Sequence, residues 1–345
     1  MNREEIIQLR LFNHGLLTNR FESPGEVVAH FGAVQAQDYS MALWALGLRT
    51  ESSKRSVIEK LINSGEIIRT HVLRPTWHLV HQTNIRWMLE LSAPHVKKAT
   101  QYVDKKEGLT DELFLKTWKI IEQKFREVAH LTKDDIMTCL SMEGMTVGNL
   151  LATQIIIRAE LEMLLCNGAR TGTYALFEQR VPRAGQISKP EAITKLAQLY
   201  FGSRGPATLK DFAWWSGLSM SDSKIGVAEL GEQLVYFELN DLKYYHFEIE
   251  AKIPPKNTFA LLPCYDEYTV GYSEGRDIAL PIGLDNSKIA NGIFKPIILS
   301  GNEIVGTWRK SKKSPFVEIQ GFSDNKEILT SNMKKYTEKI NKFYE

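Results

Sequence analysis

The alternation of apolar and polar positions divides much of the chain into short repeated units. Leu150, Leu151, Ile155, Ile156, Leu161, Leu164 and Leu165 recur at helical spacing and predict a helix over 149–166. A shorter helix at 133–142 is predicted ahead of it, opened by Thr132 with Asp135 three residues on, a capping-box spacing. Asn167-Gly168 is the expected helix stop, and 171–177 is a run of strand formers. Helix, turn, helix, strand pair is the order of a winged helix.

The same order recurs twice. Over 189–250, helices are expected at 191–201, after Thr208 (with Asp211 at the capping position) and at 221–231. Strands at 234–239 and 243–248 then flank Asn240-Asp241, a two-residue hairpin turn. Near the N-terminus, helices are expected at 4–17, 24–31 and 54–63, with strands 66–72 and 76–81 forming a wing about Leu73-Arg74-Pro75. After Pro254-Pro255 strand-like runs dominate, at 259–263, 295–300, 303–308 and 315–320, before an amphipathic helix at 326–343. The expected fold class is therefore α+β. Three tandem winged-helix units at 1–115, 116–186 and 187–252 precede a β-rich, barrel-like domain at 253–345.

Composition narrows the function classes. With 43% hydrophobic and 24% charged residues among 345, the chain is an ordinary globular one. A formal net charge of +2 is too mild to announce a nucleic-acid binder, so any basic surface must be local. The charged start Met1-Asn2-Arg3-Glu4-Glu5 has no apolar core of a signal peptide, and no apolar run is long enough for a membrane span. Cys139, Cys166 and Cys264 are odd in number and far apart, which suits a reducing cytoplasm and idle thiols. The expected location is cytoplasmic, on the nucleoid when DNA is bound.

Common enzyme signatures are missing: no phosphate loop, dinucleotide fingerprint, nucleophile elbow or zinc-protease helix occurs. His78 and His81 fall on opposite faces of a predicted strand, whereas zinc needs three or four convergent ligands. No metal is expected. Arg309, Lys310, Lys312 and Lys313 form the densest basic cluster and are candidates for phosphate contact, with a plain solvated face as the alternative. His71, Arg74, Thr76 and His78 lie on or beside the first wing, where they either touch DNA or pack the wing. Gln35-Ala36-Gln37, taken alone, is a polar loop after a helix.

Several segments together change that. They are 32–37 (Gly-Ala-Val-Gln35-Ala-Gln37), 69–80 with Arg74-Pro75-Thr76-Trp77-His78, 204–208, 211–218, 261–268 and Val305-Gly306-Thr307-Trp308-Arg309. Through them the chain resembles the AlkZ-like branch of the AlkZ/YcaQ superfamily, bacterial tandem winged-helix DNA glycosylases that unhook interstrand crosslinks. The resemblance implies three winged helices around a concave DNA-binding face and a C-terminal barrel-like domain. It implies a monomeric enzyme without cofactor, acting on double-stranded DNA that carries alkylated purines. Gln35 and Gln37 match the branch's Gln-apolar-Gln catalytic motif, where the sister branch has Gln-apolar-Asp.

The chemistry is coherent. Ordinary glycoside hydrolysis needs a carboxylic acid and a carboxylate. An amide has no useful pKa, but it can hold water in line. That suffices when the leaving base is already cationic, as in an N7-alkylguanine, so undamaged purines should be poor substrates. No lysine is placed near the motif for a lyase step, so a monofunctional glycosylase is expected. Asp266-Glu267 is either a catalytic pair or a hydrogen-bonding fixture. Two other functions fit winged helices: a DNA-binding transcription regulator, and a protein that binds a small ligand in the concave face.

Overall fold

Local end signals set most helices, and the computed structural model describes residues 1–17, 21–51, 53–249, 258–291, 293–310, 317–322 and 326–345. Helix α1 (Arg3–Asn13) starts at a capping box of Asn2 and Glu5. It ends four residues before the expected Leu17, because His14 caps it and Gly15 turns at φ 66°. Helix α2 (Pro24–Phe31) has Ser23 as N-cap and proline in its first turn, and Gly32 reverses the chain at φ 73°. Strand β1 (Ala33–Gln35) follows, then helix α3 (Tyr39–Arg49), capped by Asp38. Pattern reading missed α3 because every residue from Ala42 to Arg49 is buried, so no polar stripe marks its period.

Helix α4 (Arg55–Ser64) leads into β2 (Ile67–His71) and β3 (Trp77–His81), an antiparallel pair in the register Thr70 opposite His78. Helix α5 (Gln82–Lys106) was also unmarked in the sequence, since Pro94 looks like a breaker. Pro94 sits on the exposed side, and the buried Trp87, Met88, Leu89, Leu91 and Val96 hold the helix through it. Helix α6 (Asp111–Lys124), β4 (Leu131–Thr132), α7 (Lys133–Met142) and α8 (Asn149–Leu161) come next. The Thr132–Asp135 capping box is made as expected.

The expected stop at Asn167-Gly168 is displaced. α8 closes at Leu161, where Met163 takes φ 56° and the Leu164 amide reaches back to the Ala159 carbonyl. That is a Schellman-type closure with methionine in the position usually held by glycine. Leu164 and Leu165 then leave the helix, and β5 (Leu165–Asn167) pairs with β6 (Thr173–Leu176), followed by the short helix α9 (Phe177–Arg180). β4, β6 and β5 form one small sheet over a core of Phe114, Ile121, Ile136, Leu140, Ile155 and Leu165.

Helix α10 (Lys189–Arg204), β7 (Ala207–Thr208), α11 (Leu209–Ser216) and α12 (Met220–Leu230) lead to β8 (Leu234–Leu239) and β9 (Leu242–Phe247). Asn240 and Asp241, at φ 52° and 61°, make the expected tight hairpin turn. Strand β10 (Phe259–Leu262), helix α13 (Glu267–Val270), β11 (Ile297–Ser300), β12 (Glu303–Lys310), β13 (Val317–Gly321) and α14 (Lys326–Tyr344) complete the chain. β10 to β13 pair in sequence order, all antiparallel. Among the described residues this sheet is open, with β10 and β13 at its two edges, and is not closed into a barrel.

These elements group into two units. One holds Met1–Ile58, Ile193–Trp215 and Ser219–Glu345; the other holds Glu59–Ala192 with Ser216–Leu218. Among the described residues no helix is long and apolar enough to cross a membrane.

Candidate active site at the end of strand β1

The Gln35-Ala36-Gln37 segment starts in a strand and leaves it after one residue. Gln35 is the last residue of β1 and is 6% exposed; Ala36 is fully buried; Gln37 is exposed, one step before the Asp38 cap. The motif therefore sets one glutamine inside the unit and one at its surface.

Beneath it lies a bed of buried charge. The Gln35 amide N–H donates to Glu267 Oε1 at 2.7 Å. Glu267 Oε2 accepts from Arg204 Nε and Nη2, at 3.0 and 2.5 Å, and from Trp215 Nε1 at 3.0 Å. Arg204 also donates to the Phe31 and Ala33 carbonyls, both at 2.9 Å. Its guanidinium carbon lies 4.1 Å from the Trp215 ring centre. Asp266, the N-cap of α13, takes a two-pronged contact from Arg49 at 2.7 and 2.9 Å. Arg10, Arg49, Arg204, Asp211, Asp266 and Glu267 are all buried.

Most of these groups have hydrogen-bond partners, although Arg10 Nη2 has none among the described residues. Asp211 makes the expected capping exchange with Thr208 and also accepts from the Ser273 and Gly275 amides. Arg10 donates to the Pro206 and Gly275 carbonyls. His14 sits among the arginines, its Nε2 2.9 Å from the Tyr272 hydroxyl, which itself donates to the Arg204 carbonyl. Burial above all, then Arg49, Arg204 and Arg10, hold the His14 pKa well below the usual imidazole range, so the ring is neutral. Because the tyrosine proton goes to Arg204, His14 carries its proton on Nε2.

The arrangement bears on the Asp266-Glu267 alternatives. Glu267 is 1% exposed and receives four N–H donors, which makes it a hydrogen-bonding fixture with no open face toward a sugar. Pattern reading missed Arg49, Arg204 and His14. One signal was present: an arginine ending the apolar run of α3 is rarely buried without a paired carboxylate.

The expected DNA-contacting residues are placed unevenly. His71 is buried with its Nδ1 2.5 Å from Glu160 Oε2, and its ring centre lies 4.1 Å from that of Trp77. His78 is buried and bonds the Thr76 carbonyl. Neither ring is on the surface, and both lie in the unit that holds Glu59–Ala192. Arg74 and Thr76 lie in the half-buried turn of the wing, where Leu73 takes φ 63°. Arg309 is exposed but engages Glu318 across the β12–β13 ladder, and Lys310 lies 4.8 Å from the Tyr344 ring centre. Lys312 and Lys313 lie outside the described residues.

Among the described residues no group of three or more His, Cys, Asp or Glu is arranged to hold a metal ion. Cys264, just before Tyr265 and Asp266, has its thiol pushed up to about 12, chiefly by burial and then by Asp38.

Comparison with known proteins bears on the fold and the family. A curated relative from Streptomyces sahachiroi, described as an interstrand DNA cross-link repair glycosylase, is 24% identical over 308 residues, covering 83% of this chain and 82% of its own. The solved structure of the Streptomyces sahachiroi DNA glycosylase AlkZ superposes with a TM-score of 0.81 at 19% identity, covering 99% of this chain and 96% of that one. The family profile described as DNA glycosylase AlkZ-like matches residues 28–322, from α2 through β1 to the end of the C-terminal sheet. The chain belongs to the AlkZ-like DNA glycosylase family.

Proposed function

We propose that the protein is a monofunctional, monomeric DNA glycosylase that hydrolyses the N-glycosidic bond of cationic alkylated purines, N7-alkylguanine in the first place, and so acts in interstrand crosslink repair. Gln35 and Gln37 hold the attacking water against C1′ of an oxocarbenium-like transition state. The observation that carries this is the state of the motif: Gln35 is buried with its backbone bonded to Glu267, and Gln37 is open to solvent two residues on. The backbone of one glutamine is anchored and the side chain of the other is accessible, which favours a pair that positions water. The crosslink substrate is supported by the description of the curated relative. The positive charge of the lesion supplies the leaving-group activation that two amides lack. Residues 1–115, 116–186 and 187–252 are each read as a winged helix able to touch DNA.

The decisive experiment is release of 7-methylguanine from methylated duplex DNA under single-turnover conditions, with unmodified duplex as control. Release from the methylated duplex alone is expected. A protein that binds duplex DNA tightly, prefers a palindrome and frees no base is instead a regulator.

On DNA contact, Arg74 and Thr76 at the wing turn and Arg309, Lys310, Lys312 and Lys313 are the proposed phosphate ligands, while His71 and His78 brace the wing from inside. Replacing Arg309, Lys310, Lys312 and Lys313 together is expected to weaken binding to all duplexes alike. The salt slope should fall by about one for each phosphate that the protein no longer neutralises. An unaltered slope removes this cluster from the interface.

A further inference from the structure

We infer that Glu267 and Arg204 are positioning residues for the glycosylase reaction: joined as one rigid pair, they stand in for a neighbouring strand along one edge of β1 and so aim the Gln35 amide. The inference rests on Gln35 being a water-holding group.

A strand presents its N–H and C=O groups to one neighbour through alternate residues. Within β1 those residues are Ala33 and Gln35, while Phe31 is the last residue of α2. Arg204 Nη1 takes the Phe31 carbonyl and Nη2 takes the Ala33 carbonyl, each at 2.9 Å. Glu267 Oε1 takes the Gln35 amide at 2.7 Å. One acceptor and one donor, two residues apart on β1, together with the carbonyl that ends α2, are thus met by two side chains that are themselves bonded at 2.5 Å. Trp215 ties the pair down from the side through its indole N–H and its ring face, and Ser203 Oγ accepts from Arg204 at 2.7 Å.

This is a costly way to hold a backbone. A buried ion pair is often no more stabilising than well-packed apolar residues of similar volume. Stability alone therefore does not account for it, whereas positional precision does. The planar guanidinium has its donors in a fixed fork and reaches both carbonyls and the carboxylate together, which a lysine ammonium cannot do. Base hydrolysis by water positioning needs such a fixture, because a displacement of about 1 Å from a change outside the reacting atoms can lower rate about 100-fold.

The test uses Arg204→Lys and Glu267→Gln in the full-length protein, alone and combined with Gln35→Ala. Single-turnover 7-methylguanine release, affinity for the same duplex, and the circular dichroism melt are measured for each. Release is expected to fall about 10- to 100-fold in each single variant while affinity stays within about twofold. In the Gln35→Ala background neither change should slow release further, because both act through Gln35. A purely structural role predicts losses that multiply in the double variants, and that result overturns the inference. Wild-type release by Arg204→Lys overturns it as well, while Gln35→Ala remaining slow keeps the glycosylase assignment intact. Wild-type release by Gln35→Ala removes both. Should the variants fail to fold, amide hydrogen exchange of residues 31–37 in the unaltered protein decides. Protection of the Gln35 amide comparable to core amides supports the clamp, and loop-like exchange overturns it.

Discussion

Gln35→Ala and Gln37→Ala are each expected to lower single-turnover release of 7-methylguanine by about two orders of magnitude or more, with duplex affinity nearly unchanged. Positioning is the main source of rate available to two neutral amides, and removing one positioning group costs that much when geometry dominates. Neither side chain carries charge, so phosphate binding is little affected and the loss appears in the chemical step. Gln37→Asp is milder than Gln37→Ala. Aspartate still accepts a hydrogen bond from water, although its shorter reach displaces that water. If both alanine variants release base at the wild-type rate, the pair is not the catalytic centre.

The second large effect is on stability. Arg49 and Asp266 are 2% and 0% exposed at their side chains and bonded by both guanidinium prongs. Asp266→Ala leaves the guanidinium buried without its counter-charge, and it also removes the cap on the Tyr268 amide. Breaking one side of a buried pair typically costs about 3–5 kcal/mol. Urea unfolding followed by tryptophan fluorescence measures it, since Trp44 bonds the Leu261 carbonyl nearby in the same unit. The double change Arg49→Met with Asp266→Leu recovers a large part of that loss, because the uncompensated charge goes with its partner. A loss below about 1 kcal/mol for Asp266→Ala would mean that water reaches the pair and solvates it.

What was legible along the chain was local. Caps and turns announce themselves because the residues that satisfy them are adjacent: Thr132 with Asp135, Thr208 with Asp211, Asn240-Asp241 between two strands. Where a helix end relies on tertiary burial the signal vanishes. Met163 closes α8 in a glycine-type conformation because its neighbours Leu164 and Leu165 must turn to reach the core and β5. α3 is hidden for the opposite reason, being buried on all sides.

The sequence by itself determined many of the helices and strands, the Asn240-Asp241 turn, the caps at Thr132 and Thr208 and the family-like segments that single out Gln35 and Gln37. It also determined that charge is locally clustered. Tertiary structure alone decided which charges are inside. Arg49 meets Asp266 across 217 positions, and Glu267 meets Gln35 across 232. No local rule can pair such residues, because spacing carries information only over a turn or a ladder. It likewise decided that His71 and His78 face inward, that Gln35 is buried while Gln37 is not, and that β10 to β13 remain an open sheet. Each of these depends on which surface a neighbouring element covers, and that is set only when distant segments pack and water leaves between them.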